Sequence, residues 1–332
     1  MTLATRQPTR QPKPEQTSVF RRVFVPALII LVGISVLLYP VVSTQWNNYI
    51  QRKVVEEYSS QIQDVPEEQL NAALDAAREY NANSIGGPIL DPWLSRVSED
   101  NLDYQHYMEQ LSGLPAMSQV SIPSIESSLP VYHGTTEEVL QKGLGHLYGT
   151  SLPVGGEGTH SVITGHTGLT TSTMWDNLID MKEGDAVYVN TFGQKMKYQV
   201  TSTEVVLPHE TESLAQQPDK DLITLITCTP YGVNSHRLLV HAERVPLDPE
   251  DEAAFNQKNA ILQWWMWALL IVAALAIAFL IHWIRKERRK AAATTGDDAV
   301  ADDAEGAVLT KATRKSLNAT EIPKAGRHRR DN

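Results

Sequence analysis

Two long apolar runs limit the possible folds of this chain more than any other feature. The first extends nearly unbroken from Val23 to Val42, and the second extends from Trp264 to Ile284. A helix of about 20 apolar residues crosses the hydrocarbon core of a bilayer. We therefore predict transmembrane helices over residues 23–43 and 263–284, with one domain of ordinary size in residues 44–262 between them.

Basic residues lie on the outer side of each apolar run. Arg21 and Arg22 precede the first run, and five basic residues lie within residues 285–290. Because positive residues collect on the cytoplasmic side, both termini are predicted on the cytoplasmic side of the cell membrane and the central domain outside the cell. A cleaved signal peptide is the alternative for the first run, but the run is long for one and no small-x-small cleavage site follows it.

The predicted outer domain, residues 44–262, is strongly acidic. It contains 30 Asp and Glu against 12 Lys and Arg, a net charge of −18. Such a charge excludes nucleic acid as a partner. It is compatible with basic partners such as lysine side chains, although an acidic surface that only keeps the domain hydrated has the same composition.

Composition divides the rest of the chain into segments. Residues 1–22 carry a Thr-Arg-Gln-Pro repeat and no apolar face, which is typical of a disordered cytoplasmic tail. Residues 44–83 favour helix, with Pro66 separating two helices. Gly and Pro make residues 84–97 an irregular loop. The remaining predicted segments are a β-rich domain over 98–247, an acidic linker over 248–262 and a basic, disordered cytoplasmic tail over 285–332.

Short β-branched runs separated by turn residues begin near residue 118. Their spacing predicts an antiparallel barrel or sandwich. Short helical insertions are predicted at Glu137–Gly143 and Met174–Ile179. The predicted strands are Val120–Ile125, Val131–Tyr132, Ser161–Thr164, Ala186–Asn190, Lys195–Val206, Leu222–Thr227 and Leu238–Ala242.

The strand at Leu222–Thr227 delivers Cys228, the single cysteine of the chain, to its end. Pro230 and Gly232 then predict a loop, and Arg237 opens the next strand, so the thiol and the guanidinium are predicted to face a common point. A lone cysteine often serves only as a small buried hydrophobe. In an exported domain, however, an unpaired thiol is open to oxidation, which favours a functional role for Cys228.

Among ten histidines, His166 lies where a predicted strand runs into the glycine-flanked turn of residues 164–168. The glycines are expected to leave the imidazole exposed and to admit a substrate backbone. His166 is therefore the candidate proton shuttle for Cys228, and a turn histidine without a role is the alternative. The rival, His236, adjoins Arg237 and should point to the opposite face of the strand. No paired Cys or His-x-x-x-His spacing predicts a metal site, and no cofactor is predicted.

Four separated motifs follow one another along the outer domain. The strand sequence Thr224-Leu225-Ile226-Thr227-Cys228 matches the pattern Thr-Leu-x-Thr-Cys, and Arg237 stands nine positions further on. The other motifs are Asp91-Pro92-Trp93, then His133-Gly134-Thr135 with the stretch from Gly145 to Gly156, and Thr164 to Gly168. Together they resemble the motifs of the sortases, and of the class C, pilin-polymerising sortases in particular. The resemblance covers residues 80–245.

This resemblance implies a mainly β fold, a closed eight-stranded barrel with short helical insertions and an N-terminal helical segment, flanked by the two transmembrane helices. It implies a cysteine transpeptidase in which Cys228 attacks the Thr carbonyl of an LPxTG-like sorting signal. His166 then transfers protons, and Arg237 stabilises the oxyanion. The expected partners are pilin subunits that carry this signal and an acceptor lysine.

The class C resemblance also makes Asp91, Pro92 and Trp93 the expected lid of the site. Asp91 is expected to pair with Arg237, and Trp93 is expected to cover the sulfur of Cys228 and protect it from oxidation. An ordinary surface loop whose Trp93 covers part of the core is the alternative. Further candidate substrate contacts are Thr227, Thr164 and His146.

Two other functions fit the same sequence. A sortase that attaches surface proteins to cell-wall peptide differs in its acceptor, which is a peptidoglycan amine in place of a protein lysine. A catalytically silent scaffold that spans the membrane twice needs no reactive thiol. Labelling of Cys228 by a thiol reagent separates the scaffold from both enzymes.

Overall fold

A closed barrel of eight strands forms the centre of the chain, as the class C resemblance predicts. The computed structural model describes residues 19–83, 98, 100–256 and 262–290. The strands are β1 (Ser118–Ile122), β2 (Ser127–His133), β3 (Leu144–His146), β4 (Thr159–Thr164), β5 (Ala186–Thr191), β6 (Gln194–Val206), β7 (Asp221–Thr229) and β8 (His236–Val245). Their order around the barrel is β1-β2-β3-β4-β7-β8-β6-β5, and β5 pairs with β1 to close it.

Five α-helices accompany the barrel in the described part of the chain. By length and composition, the first and the last are apolar enough to cross a membrane. The described residues form two compact units, one of residues 19–38 with 268–290 and the other of the described residues between Tyr39 and Trp267. The helices are α1 (Val19–Asp64), α2 (Glu67–Asn83), α3 (Leu102–Glu109), α4 (Glu137–Lys142) and α5 (Trp264–Lys290).

Helix α1 is longer than the sequence predicts. It continues without a break through residue 43, the predicted end of the first transmembrane helix, and stops at Asp64. Helix α2 starts at Glu67, so the predicted separation of two helices at Pro66 is confirmed. The physical reason is that a proline disfavours the helical conformation in the residue before it.

Two strand pairs, β2–β3 and β4–β7, are parallel. The spacing-based prediction of an antiparallel barrel or sandwich is therefore wrong at these pairs. Parallel neighbours need a crossover connection, and α4 forms the connection from β2 to β3. Strand β3 was missing from the prediction because it has only three residues and contains Gly145. Glycine is required there, since a Cβ would collide with the carbonyl oxygen of Gly134.

One apolar cluster fills the barrel interior, with Val120, Leu129, Ile163, Leu225 and Val240 among its members. These residues come from five different strands, so a single core holds the barrel together. A second cluster joins helices α2 and α3 to the outside of the barrel; its members include Leu70, Leu74, Tyr107, Leu152 and Phe192.

The acidic segment that follows β8 is not an open linker in its described part. Residues Pro249–Asn256 form a 3₁₀-helix that packs on the barrel. The Asp251 carboxylate accepts a hydrogen bond from the hydroxyl of Tyr188 at 2.6 Å and pairs with Lys197 at 2.8 Å. Phe255 is buried with its ring edge-on to Tyr188. Acidic residues of the predicted acidic linker are thus paired with Lys195 and Lys197 of β6.

The second half of α1 docks on the barrel through Tyr58, which is fully buried. Its hydroxyl accepts a hydrogen bond from the backbone N–H of Phe192 at 2.8 Å. The same hydroxyl lies 3.2 Å from the carbonyl oxygen of Asn190 and 3.3 Å from that of Met117, to which it donates. One side chain of α1 therefore ties together the ends of β1 and β5.

Replacing Tyr58 by Phe is expected to destabilise the domain by about 1–3 kcal/mol, because the buried Phe192 N–H loses its acceptor. The melting temperature of the detergent-solubilised protein should fall by about 2–12 °C for a domain of this size. Tyr49→Phe is the matched control, since Tyr49 lies on the same helix and is exposed. Equal melting temperatures for the two variants would contradict this role of Tyr58.

Candidate active site

Strands β7 and β8 place Cys228 and Arg237 directly opposite each other. Residues opposite one another in an antiparallel pair project to the same face of the sheet with their Cβ atoms about 5 Å apart. Both side chains are largely buried, with 7% and 8% of the residue exposed. The register of these two adjacent strands therefore brings the thiol and the guanidinium together, as the sequence predicts.

Strand β4 brings His166 to the same row. It runs parallel to β7 with Thr164 opposite Ile226, and the N–H of Gly165 donates to the carbonyl of Ile226 at 3.0 Å beyond the strand end. His166 and Cys228 each follow two residues after the paired Thr164 and Ile226. Three neighbouring strands, β4, β7 and β8, thus deliver His166, Cys228 and Arg237 to adjacent positions.

Two threonine hydroxyls lock the strands immediately before these residues. The hydroxyl of Thr227 donates to the carbonyl of Gly165 at 2.8 Å, and that of Thr164 donates to the carbonyl of Ile226 at 3.2 Å. Gly165 serves packing, because a Cβ there would lie 2.6 Å from Leu144. The expectation that the glycines leave the imidazole exposed is wrong, since the His166 side chain is only 12% exposed.

The three candidate substrate contacts, Thr164, Thr227 and His146, are all buried. The two threonines bond to backbone carbonyls as described above. The His146 ring lies 2.9 Å from the hydroxyl of Tyr107 and 2.8 Å from the carbonyl oxygen of Ser151. Their hydrogen-bonding atoms thus face the protein frame that supports the row of His166, Cys228 and Arg237.

His236 does not share that row. It pairs with Thr229, one position away from the Cys228–Arg237 pair, and its Nδ1 lies 2.9 Å from the Ser235 hydroxyl. The alternation of strand side chains therefore turns His236 to the other face of β8, as the sequence predicts.

Asp176 supports the turn after His166 and was not singled out by the sequence. Its carboxylate accepts hydrogen bonds from the N–H of Gly168 at 2.7 Å and from the hydroxyl of Thr167 at 3.3 Å. Burial raises the pKa of this carboxyl to about 6. In addition, the N–H of Trp175 donates to the carbonyl of His166 at 3.1 Å. Residues Trp175 and Asp176, which follow the turn in the chain, therefore hold it in place.

Helix α1 contacts residues 170–173, which follow this turn, from outside the barrel. Asn47 donates to the carbonyl of Thr171 at 2.7 Å, Asn48 donates to the hydroxyl of Thr173 at 3.0 Å, and Gln51 donates to the hydroxyl of Ser172 at 3.1 Å. The Thr44 hydroxyl also donates to the carbonyl of Thr170. The positions 44, 47, 48 and 51 follow the helical spacing of one face, and this periodicity of polar residues was the signal available in the sequence.

The expected lid residues Asp91, Pro92 and Trp93 lie outside the described residues. Within the described ranges, no group of three or more His, Cys, Asp or Glu side chains is arranged to hold a metal ion.

Comparison with known proteins agrees with this geometry. The family model described as "Sortase domain" matches residues 120–245. Sortase C-1 from Actinomyces oris is 55% identical over 54% of this chain and 99% of its own, with a TM-score of 0.53. Sortase A from Corynebacterium diphtheriae is 49% identical over 62% of this chain and 98% of its own, with a TM-score of 0.56. Streptococcus pneumoniae sortase C is 39% identical over 59% of this chain and 97% of its own, with a TM-score of 0.54.

The chain belongs to the sortase family and is a cysteine transpeptidase, with class C sortases among its structural neighbours.

Acid is expected to weaken the frame of the site through His146. Burial lowers the pKa of this ring from 6.5 to about 4. Between pH 6.5 and pH 4, His146 is therefore protonated in the unfolded chain but remains neutral in the native protein. The stability that this residue contributes above pH 6.5 is lost as the pH falls towards 4. The loss from His146 amounts to about 3 kcal/mol at most.

The measurement is the melting temperature of the solubilised protein between pH 7 and pH 4.5. Burial lowers the pKa of His133 and of His160 as well, so the contribution of His146 is the difference between wild type and His146→Gln. The variant should melt lower at pH 7 but lose less stability in acid. His209→Gln, in an exposed loop, should keep the wild-type dependence. An unchanged pH dependence in His146→Gln would refute the prediction.

Proposed function

We propose that this protein is a membrane-anchored class C sortase that cleaves an LPxTG-like sorting signal between Thr and Gly and joins the acyl group to a pilin lysine. The observation that carries the proposal is the register that sets Cys228 opposite Arg237 on β7 and β8, with His166 two residues past the end of the neighbouring strand β4. The likeness to sortase C-1 at 55% identity supports the class. The description of the Streptococcus pneumoniae neighbour refers to pilin substrate specificity.

In the first half of the proposed reaction, the Cys228 thiolate attacks the threonyl carbonyl of the signal. The guanidinium of Arg237, in the opposite position of β8, donates hydrogen bonds to the developing oxyanion. His166 gives its proton to the glycine amine as the Thr–Gly bond breaks. The products of this half are a thioacyl enzyme and the released glycine end of the signal.

In the second half, a lysine amine attacks the thioester carbonyl while His166 takes its proton. Collapse of the intermediate breaks the carbon–sulfur bond, forms an isopeptide bond and returns Cys228 as thiolate. The net charge of −18 over residues 44–262 favours the approach of lysine-bearing partners. This attraction is screened beyond about 8 Å at physiological salt, so it acts mainly near the surface.

The proposed location is the cell membrane, with α1 and α5 as its two spans. The basic residues before the first apolar run and after the second support cytoplasmic termini and a catalytic domain outside the cell. This arrangement presents the row of His166, Cys228 and Arg237 to exported pilin subunits, which are the proposed partners.

The deciding experiment incubates the solubilised full chain with a sorting-signal peptide, first alone and then with a lysine-bearing pilin fragment. Mass spectrometry should find the acyl fragment on Cys228, and then an isopeptide bond to lysine. Cys228→Ala should form neither product, and His166→Ala should lose at least about 100-fold in rate. His236→Ala is the matched control. A product only with peptidoglycan amines would assign the chain to cell-wall attachment, and no adduct at all would refute the transpeptidase mechanism.

We also propose, from the class C resemblance, that Asp91, Pro92 and Trp93 form a lid over Cys228. Alkylation of Cys228 should then be faster in the double variant Asp91→Ala and Trp93→Ala than in wild type, even without denaturant, because a local opening replaces global unfolding as the exposure route. The measurement is the alkylation rate against urea concentration. Equal rates in buffer would exclude the lid, and a large fall in melting temperature would indicate a core role for Trp93.

A further inference from the structure

Glu137, the first residue of α4, lies beside the proposed proton shuttle. Its carboxylate oxygen Oε2 is 3.4 Å from Nε2 of His166. The start of α4 is fixed by Thr136, whose hydroxyl accepts the N–H of Val139 as the helix cap. The reaction described above does not use Glu137, and no sequence motif pointed to it.

The fold holds α4 at this position. Leu140 of α4 is fully buried, and its side chain lies 3.0 Å from the position of a Cβ on Gly145. Gly145 is paired in turn with Thr164, two residues before His166. The helix therefore rests on the strand next to β4, and its first turn reaches the end of β4 where His166 lies.

The carboxylate of Glu137 is itself oriented by Gln141, one helical turn further along. The side-chain amide of Gln141 donates to Oε1 of Glu137 at 3.0 Å. Oε1 is thus occupied on the side of Gln141, and Oε2 faces the imidazole. Since Gln141 and Glu137 are four residues apart on one helix, the arrangement depends on the local geometry of α4 alone.

We propose that Glu137 is a positioning residue, whose carboxylate holds the His166 ring in place through the contact of Oε2 with Nε2. The inference rests on the proposed function of His166. At 3.4 Å the contact between Oε2 and Nε2 is one of charge and position, and no hydrogen bond joins the two atoms.

The effect of this pair is modest because Glu137 is 63% exposed, whereas His166 is 12% exposed. Ion pairs with an exposed partner change equilibria by about two- to fivefold. The titratable groups that contact the turn include Asp176, which accepts from Gly168 and Thr167, and Tyr231, whose ring lies 3.9 Å from the position of a Cβ on Gly168; Cys228 and Arg237 lie on the neighbouring strands β7 and β8. These groups stay unchanged in a Glu137 variant, so a difference from wild type belongs to the Glu137 carboxylate.

The test replaces Glu137 by Gln, which keeps the shape of the side chain and removes its charge. The control is Glu138→Gln, since Glu138 is the next residue on the same helix turn and pairs with Lys142 at 2.6 Å. Both side chains are exposed, so neither variant should change the melting temperature. The experiment uses the solubilised full chain.

The first readout needs no peptide substrate. Iodoacetamide alkylates the single cysteine, and its rate at pH 7 reports how reactive the Cys228 thiol is beside His166. Glu137→Gln should lower this rate about two- to fivefold, and the difference should shrink in 1 M salt, as an ion pair requires. Glu138→Gln should match wild type. Identical alkylation in both variants and wild type would overturn the inference.

The second readout is turnover of the sorting peptide with a lysine acceptor. Glu137→Gln should lower kcat with KM unchanged, because the proposed proton shuttle is held less well while peptide binding is not altered. A rise in KM with kcat unchanged would overturn the positioning role. If wild type alkylates as expected but forms no acyl adduct, the proposed function fails while the Glu137–His166 pair stands, so the two failures are distinguishable.

Discussion

The parallel pairing of β4 with β7 sets the positions of His166 and Cys228, and the rest of the site depends on it. These residues are 62 positions apart in the chain, yet the register of the two strands brings them level. A slip of one residue would turn Cys228 to the other face, because side chains alternate along a strand. The bonds from Gly165 to Ile226 and from Thr227 to Gly165 oppose that slip.

The Thr-Leu-Ile-Thr-Cys segment of β7 can be understood residue by residue from this constraint. Leu225 belongs to the barrel core, and the carbonyl of Ile226 accepts bonds from both Gly165 and Thr164. The hydroxyl of Thr224 lies within 2.7 Å of the His160 ring and 2.8 Å of the His241 ring, which connects β4, β7 and β8.

The outer face of these strands also has a layered composition. Val162, Ile226 and Leu239 form a small apolar cluster with Leu147 and Leu214, between the Thr224 row and the Cys228 row. A buried polar network around Thr224 therefore lies four residues before Cys228 on β7 and is separated from the thiol by apolar side chains. This separation keeps the histidines of the network apart from the proton transfers proposed for His166.

The sequence was sufficient for the features that depend on short segments of chain. A strand, a loop and a second strand predicted that Cys228 and Arg237 meet, and a glycine-flanked turn singled out His166. Contacts between segments that are distant in the chain could not be predicted from the sequence. Glu137 reaches His166 across 29 residues, and Asn48 reaches Thr173 across 125. The acidic composition around Asp251 likewise did not reveal that these carboxylates pair with lysines of β6, more than 50 residues earlier in the chain.

The hydrogen bonds from α1 to residues 170–173 bear on which residues a soluble fragment must contain. Helix α1 is continuous from the apolar run to Asp64, and Thr44, Asn47, Asn48 and Gln51 lie just beyond that run. A soluble fragment that starts after residue 51 would retain the barrel and the row of His166, Cys228 and Arg237. It would lose all four side chains that brace the segment after His166. The side chains that support the segment after His166 therefore lie directly after the first apolar run, and a fragment without them loses that support.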